Sequence, residues 1–149
     1  MLERGKDFVL GLAEKLKWSV PLLARIVIGS VFIQAGWGKL NDLESVIDFF
    51  RSLGIPAPEL QAPFVAVVEF GGGIFILLGF FTRLFALPLM GTMVVAILTA
   101  KLSEFTGPFD LFGTQEFDYI VLLLTLFVFG AGPLSIDQFI CKRCAGTLP

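Results

Sequence analysis

Polar residues divide the chain into four apolar stretches, roughly 20–38, 63–82, 84–102 and 119–134. Each approaches the ~17–25 residues that a helix needs to cross a hydrocarbon layer of ~30 Å, the fourth being the shortest. Only Arg83 separates the second from the third, so the pattern predicts an antiparallel hairpin there. Ahead of them, Phe8, Leu12 and Leu16 recur at helical spacing among Lys6, Asp7, Glu14, Lys15 and Lys17, which predicts an amphipathic helix in the interface over residues 1–18. Leu43, Val46, Ile47, Phe50 and Leu53 repeat that pattern in the first connection, and Gly54 and Pro56 end it. The segment SEFTGPFDLFGTQEFD is punctuated by Gly and Pro and reads as a loop against the membrane surface. The expected architecture is all-α: a transmembrane four-helix bundle over 19–137, preceded by the amphipathic helix, with a short interfacial helix in the first outer loop and a tail over 138–149.

Composition strengthens the membrane reading. The chain is 56% hydrophobic and 16% charged, with a mean hydropathy of +0.86, against about 45–50% and about 25% for soluble domains. Seventeen phenylalanines stand against one tyrosine and no histidine, which leaves carboxylates, lysines and two cysteines for any proton or metal chemistry. A net charge of −2 with no basic stripe excludes a nucleic-acid partner. The start of the chain lacks the ordered regions of a signal peptide, so the first span is expected to be an uncleaved anchor. Arg4, Lys6, Lys15, Lys17, Arg83, Lys142 and Arg143 fall on one side and Lys39, Arg51 and Lys101 on the other; this bias predicts that both termini are cytoplasmic.

Charge at membrane depth is costly, by ~2.5–3.5 kcal/mol per residue on insertion scales, and so demands partners. At 100° per residue, Arg25, Gly29, Phe32, Gly36 and Lys39 share one face of the first span, and Glu69, Gly73, Ile76, Phe80 and Arg83 share one face of the second. The glycines Gly29, Gly36, Gly72, Gly73 and Gly79 are candidates for close helix packing. With a rise of ~1.5 Å per residue, Glu69 lies roughly 9 Å below the outer boundary, within reach of Lys39 and Lys101, and Arg25 lies level with Asp137 at the inner side. The expectation is an outer polar cluster of Glu69, Lys39 and Lys101, and an inner structural ion pair of Arg25 and Asp137 with Arg83 nearby. Gln34 is a further polar candidate, but it points away from the basic face and must bond elsewhere, for example to another subunit. The outer cluster reads either as a register-fixing ion pair or as a pocket that binds a polar head group, such as a quinone carbonyl, or passes a proton. The CKRC motif puts Cys141 and Cys144 at the spacing of a redox pair or half a metal site, but one such pair without histidine does not complete a zinc site, and inert thiols in a reduced tail are the favoured reading.

ARIVIGSVFIQAGWGKL, LGIPAP, VEFGGGIFILLGFFTR and the closing GAGPLSID together resemble the DoxX family of small four-helix membrane proteins. Arg25, Gly29, Gly36, Lys39, Glu69, Gly79, Arg83 and Asp137 match its recurring positions. The resemblance implies a bacterial inner-membrane protein without catalytic activity of its own. It would be an accessory subunit beside a quinone-linked oxidoreductase, with no intrinsic cofactor and with quinone or lipid as candidate ligands. The bilayer, an oxidoreductase subunit and a second copy of the chain are the candidate partners. A non-redox scaffold or assembly factor is the alternative. The CKRC tail and the Phe-rich third loop lie outside the family pattern.

Overall fold

The computed structural model describes residues 10, 11, 14–102, 105–107, 109–132 and 134–139. Most of the expected N-terminal amphipathic helix lies outside them, as do Cys141 and Cys144. The order of elements is α1 (Ser19–Asn41), α2 (Leu43–Ser52), α3 (Pro58–Leu78), α4 (Thr82–Ala96) continuing into a π-helical turn (Ile97–Lys101), a 3-10 turn (Asp110–Gly113) and α5 (Gln115–Phe129). No strand occurs among the described residues.

Among the described residues three helices, Ser19–Asn41, Pro58–Leu78 and Thr82–Lys101, are long and apolar enough to cross a bilayer. The expected fourth span differs. α5 has 15 residues and so extends ~22 Å, starting earlier and ending earlier than the apolar run. Its start is fixed by Thr114, whose hydroxyl accepts a hydrogen bond from the Phe117 N–H at 3.4 Å. Its end is fixed by Gly130, at φ 77°. The apolar residues after Gly130 therefore leave the helix. α2 is capped by Asp42, which accepts from the Ser45 N–H at 3.3 Å, and Arg51 ties it to the start of α3 through Glu59 at 2.8 Å.

Ile28 and Phe32 of α1, Ile76 of α3, Leu89 of α4, and Leu123 and Leu126 of α5 form the core on which all four long helices converge. Among lipid tails as apolar as leucine, burial alone does not drive helix onto helix, and close packing must supply the attraction. α1 and α3 achieve it antiparallel, through glycine. A Cβ at Gly36 would lie 2.3 Å from the Phe70 backbone nitrogen, one at Gly73 2.7 Å from the Ile33 nitrogen, and one at Gly29 2.9 Å from the Leu77 Cβ. Gly72 faces the Leu89 side chain at 3.1 Å instead, so it receives α4 rather than α1.

α3 ends in a Schellman turn. The Gly79 N–H bonds to the Ile76 carbonyl and the Phe80 N–H to the Phe75 carbonyl, each at 3.0 Å, with Gly79 at φ 68°. α4 begins three residues later from Phe81, a non-glycine residue at φ 48°. Phe75 and Phe85 stack across this hairpin with ring centroids 4.1 Å apart. α3 and α4 are thus pinned at the turn end, whereas at the opposite end Gly91, Ala96 and Ala100 present little side chain toward α3 and leave space between the helices.

Candidate functional site

That space is a cavity of about 850 Å³. Its walls come from Phe64, Val65 and Val68 of α3, Pro88, Gly91, Thr92 and Val95 of α4, and Phe49 and Phe50 of α2 with Leu53 just after it. Phe64 and Val95 are 67% and 46% exposed, so the cavity opens sideways between the two helices. Its size lies within the ~300–1,000 Å³ of small-molecule sites, as does its chemistry of apolar walls with a few convergent polar groups.

The polar groups include a charged pair. Lys39, in the last turn of α1, donates to the Glu69 carboxylate of α3. The tight α1–α3 packing at Gly36 and Gly73 sets the register that brings the two together. Burial is unequal: the Glu69 side chain is 2% exposed and that of Lys39 is 27%. Lys39 therefore keeps a path to the cavity and to the helix end, where the carbonyls of α1 favour a cation. Lys101 lines the same cavity from the π-helical turn, a geometry that recurs at functional sites. The expected cluster of Glu69, Lys39 and Lys101 is thus gathered on one cavity, with Lys39 holding the carboxylate.

Gln34 does not join it. It is exposed on the side of α1 that faces away from α3. The cavity also gathers five polar residues that the helical pattern does not single out: Gln61, Thr92, Thr99, Glu116 and Tyr119. The one tyrosine of the chain carried a signal, since a phenol at a helix end among seventeen phenylalanines asks for a polar neighbour. Tyr119 also packs against Phe32, with centroids 6.1 Å apart, which joins the cavity wall to the core.

At the turn end Arg25 and Asp137, expected as an ion pair, lie near enough for their charges to act on one another but form no salt bridge among the described residues; the hydrogen bonds of both go to backbone groups. Arg25 Nη1 donates to the Ala131 carbonyl at 2.6 Å and Nη2 to the Leu77 carbonyl at 3.3 Å. The guanidinium fits because residue 79 is glycine: a Cβ there would sit 2.7 Å from Nη1. Asp137 accepts from the Phe81 N–H at 2.8 Å and the Thr82 N–H at 3.2 Å, capping the start of α4 from a distant part of the chain. Arg83, exposed, donates to the Val128 carbonyl at 3.2 Å. The reason for the difference lies in the backbone. Helix ends at this turn leave carbonyls and N–H groups that lipid cannot satisfy, and each charged side chain meets that demand before it meets the opposite charge.

No group of three or more potential metal ligands occurs among the described residues. The polar groups gathered here can donate and accept hydrogen bonds.

No solved structure matches the chain. The DoxX family model matches residues 20–102, which hold Arg25, Lys39 and Glu69, the cavity wall of α3 and α4, and the packing glycines Gly29, Gly36 and Gly73. A Bacillus subtilis (strain 168) protein named "Putative oxidoreductase CatD" is 35% identical over 123 residues, 81% of this chain and 87% of that protein. The Escherichia coli (strain K12) "Inner membrane protein YqjF" is 32% identical over 130 residues, 87% of this chain and 98% of its own length. "Inner membrane protein YphA" from the same organism is 32% identical over 124 residues, 78% of this chain and 87% of its own. These inner-membrane relatives and the three apolar helices support a bacterial inner-membrane location. Matched by the family model over more than half its length, and by these relatives over most of theirs, the chain belongs to the DoxX family.

Proposed function

We propose that the protein is an accessory membrane subunit that presents a quinone, or an amphiphile of the same build, to a quinone-linked oxidoreductase. One observation carries the reading: a buried ion pair stands on an apolar cavity that opens sideways, toward the bilayer through which such a ligand diffuses. The Lys39 ammonium has three N–H donors and Glu69 engages one, which leaves donors for a carbonyl oxygen in the cavity. Phe64, Val65 and Val68 supply apolar contact for a ring and the start of its tail. The electrons belong to the partner enzyme, and the role of this chain is to hold and orient. The oxidoreductase name borne by one relative agrees with that assignment.

The alternative, a non-redox scaffold, is favoured by the turn end, where Arg25, Arg83 and Asp137 all serve the backbone of the chain itself. Extraction of the protein purified in mild detergent separates the two. The ligand reading expects roughly one quinone per chain by absorbance and its loss in Gly91→Leu. A Cβ at Gly91 meets nothing within 4 Å, so the larger side chain fills the cavity without disturbing the helix. Absence of quinone from the wild type, or equal quinone in Gly91→Leu, sinks the ligand reading and leaves the scaffold.

A further inference from the structure

We propose that the protein pairs with a second copy of itself through the lipid-facing side of α1, with the two Gln34 amides hydrogen-bonded to each other across a twofold axis. This does not rest on the ligand reading. Gln34 is exposed in a helix whose neighbours on the same side are apolar: Leu23 is 58% and Val27 50% exposed. The amide makes no hydrogen bond within the described residues. It stands four residues, ~6 Å along the axis, inside the end of the apolar stretch at residue 38, and its Cα–Cβ bond leans back toward the start of the helix, away from that boundary. A primary amide left in hydrocarbon loses the hydrogen bonds that water gave it, and nothing in the lipid tails replaces them.

The same side of α1 is shaped for close approach. Ser30 lies one turn before Gln34 and Gly38 one turn after it, and a Cβ placed on Gly38 meets nothing within 4 Å. Small residues one turn either side of a polar one let two helices come near enough for side-chain hydrogen bonds. A second copy is the fitting occupant because an amide is donor and acceptor at once. Two related by a twofold axis satisfy each other, as an isologous interface requires. The face carries no charge that would call for an opposite one. It also lies away from the α3 side of α1, so pairing leaves the cavity beside Lys39 and Glu69 open.

The experiment uses the full chain in its native membrane with Cys141→Ser and Cys144→Ser as background. Ser30→Cys adds a thiol at nearly constant volume, and mild oxidation should yield a band of twice the chain's mass. Val95→Cys, on the exposed side of α4, should remain a monomer. Introducing Gln34→Leu should raise the dimer dissociation constant about tenfold, measured by energy transfer between labelled chains in bilayer nanodiscs. That is the factor given by about 1.4 kcal/mol of hydrogen bonding. Gln34→Leu remains a lipid-exposed leucine and should fold normally. The proposal is overturned if Ser30→Cys cross-links no better than Val95→Cys, if it cross-links to a different protein instead, or if Gln34→Leu leaves the dissociation constant unchanged.

Discussion

Removing either partner of the Lys39–Glu69 pair should have unequal consequences. Lys39→Met takes the cation from a carboxylate whose side chain is 2% exposed, and that carboxylate has no route to water. Breaking a buried pair in this way costs about 3–5 kcal/mol, because an uncompensated charge remains. Glu69→Gln leaves the charge on Lys39, which is 27% exposed and stands in the last turn of α1. Its stem can swing the ammonium toward the helix end, and the glutamine carbonyl still accepts a hydrogen bond. The loss should then be about 1–2 kcal/mol, the worth of exchanging a charge-assisted bond for a neutral one. Replacing both, as Lys39→Met with Glu69→Leu, removes the buried charge altogether and should cost less than Lys39→Met alone. The assay is reversible unfolding in mixed micelles with increasing SDS, read by tryptophan fluorescence; wild type, Lys39→Met, Glu69→Leu and the double variant form a double-mutant cycle, with Glu69→Gln measured beside it. A larger loss from Glu69→Gln than from Lys39→Met, or a coupling energy near zero, would refute the assignment of Glu69 as the buried partner that needs its lysine.

Asp137→Ala leaves the Phe81 and Thr82 N–H groups without acceptors and should lower stability by about 2–4 kcal/mol in the same assay, with Asp137→Asn losing less because one amide oxygen remains to accept. Gly36→Ala places a methyl 2.3 Å from the Phe70 backbone nitrogen, which cannot rotate away; a loss of at least about 2 kcal/mol is expected, while Gly38→Ala, facing open space, should be neutral or slightly stabilising. Backbone hydrogen bonds from Thr106 and Gly107, with a further one from the Thr106 hydroxyl, hold the Asp110 carboxyl below its usual range. A depressed carboxylate stabilises its loop above the ordinary aspartate value of about 3.9 and loses that contribution as pH falls through the lower folded value. Amide exchange at Thr106 and Gly107 should therefore accelerate relative to the rest of the loop only below about pH 4, and Asp110→Asn should abolish that step.

Much of this fold is written in the spacing of its residues. The positions of Gly29, Gly36 and Gly73 at helical intervals announced the α1–α3 contact, because only glycine lets two backbones meet in a medium that offers no hydrophobic drive. Glu69 with Lys39 followed from the same spacing, since a carboxylate in an apolar run has few ways to exist. The roles of Arg25 and Asp137 were not legible, because charge matching ignores the backbone. Their partners are the Ala131 and Leu77 carbonyls and the Phe81 and Thr82 amides, groups that every residue carries and that only the path of the chain brings near. The cavity was hidden for a related reason. It arises from what Gly91, Ala96 and Ala100 lack, and from helices that meet firmly at one end alone.

The cap that Asp137 places on α4 also has a consequence in time. Phe81 and its acceptor are separated by 56 positions. At about 5–20 residues per second, the ribosome delivers the carboxylate some ~3–11 s after the turn itself has been made. Through that interval the hairpin of α3 and α4 sits in the bilayer with its left-handed corner unsupported. The segment that carries Asp137 therefore closes the structure, and a chain interrupted before it should remain open to membrane proteases however complete its helices are.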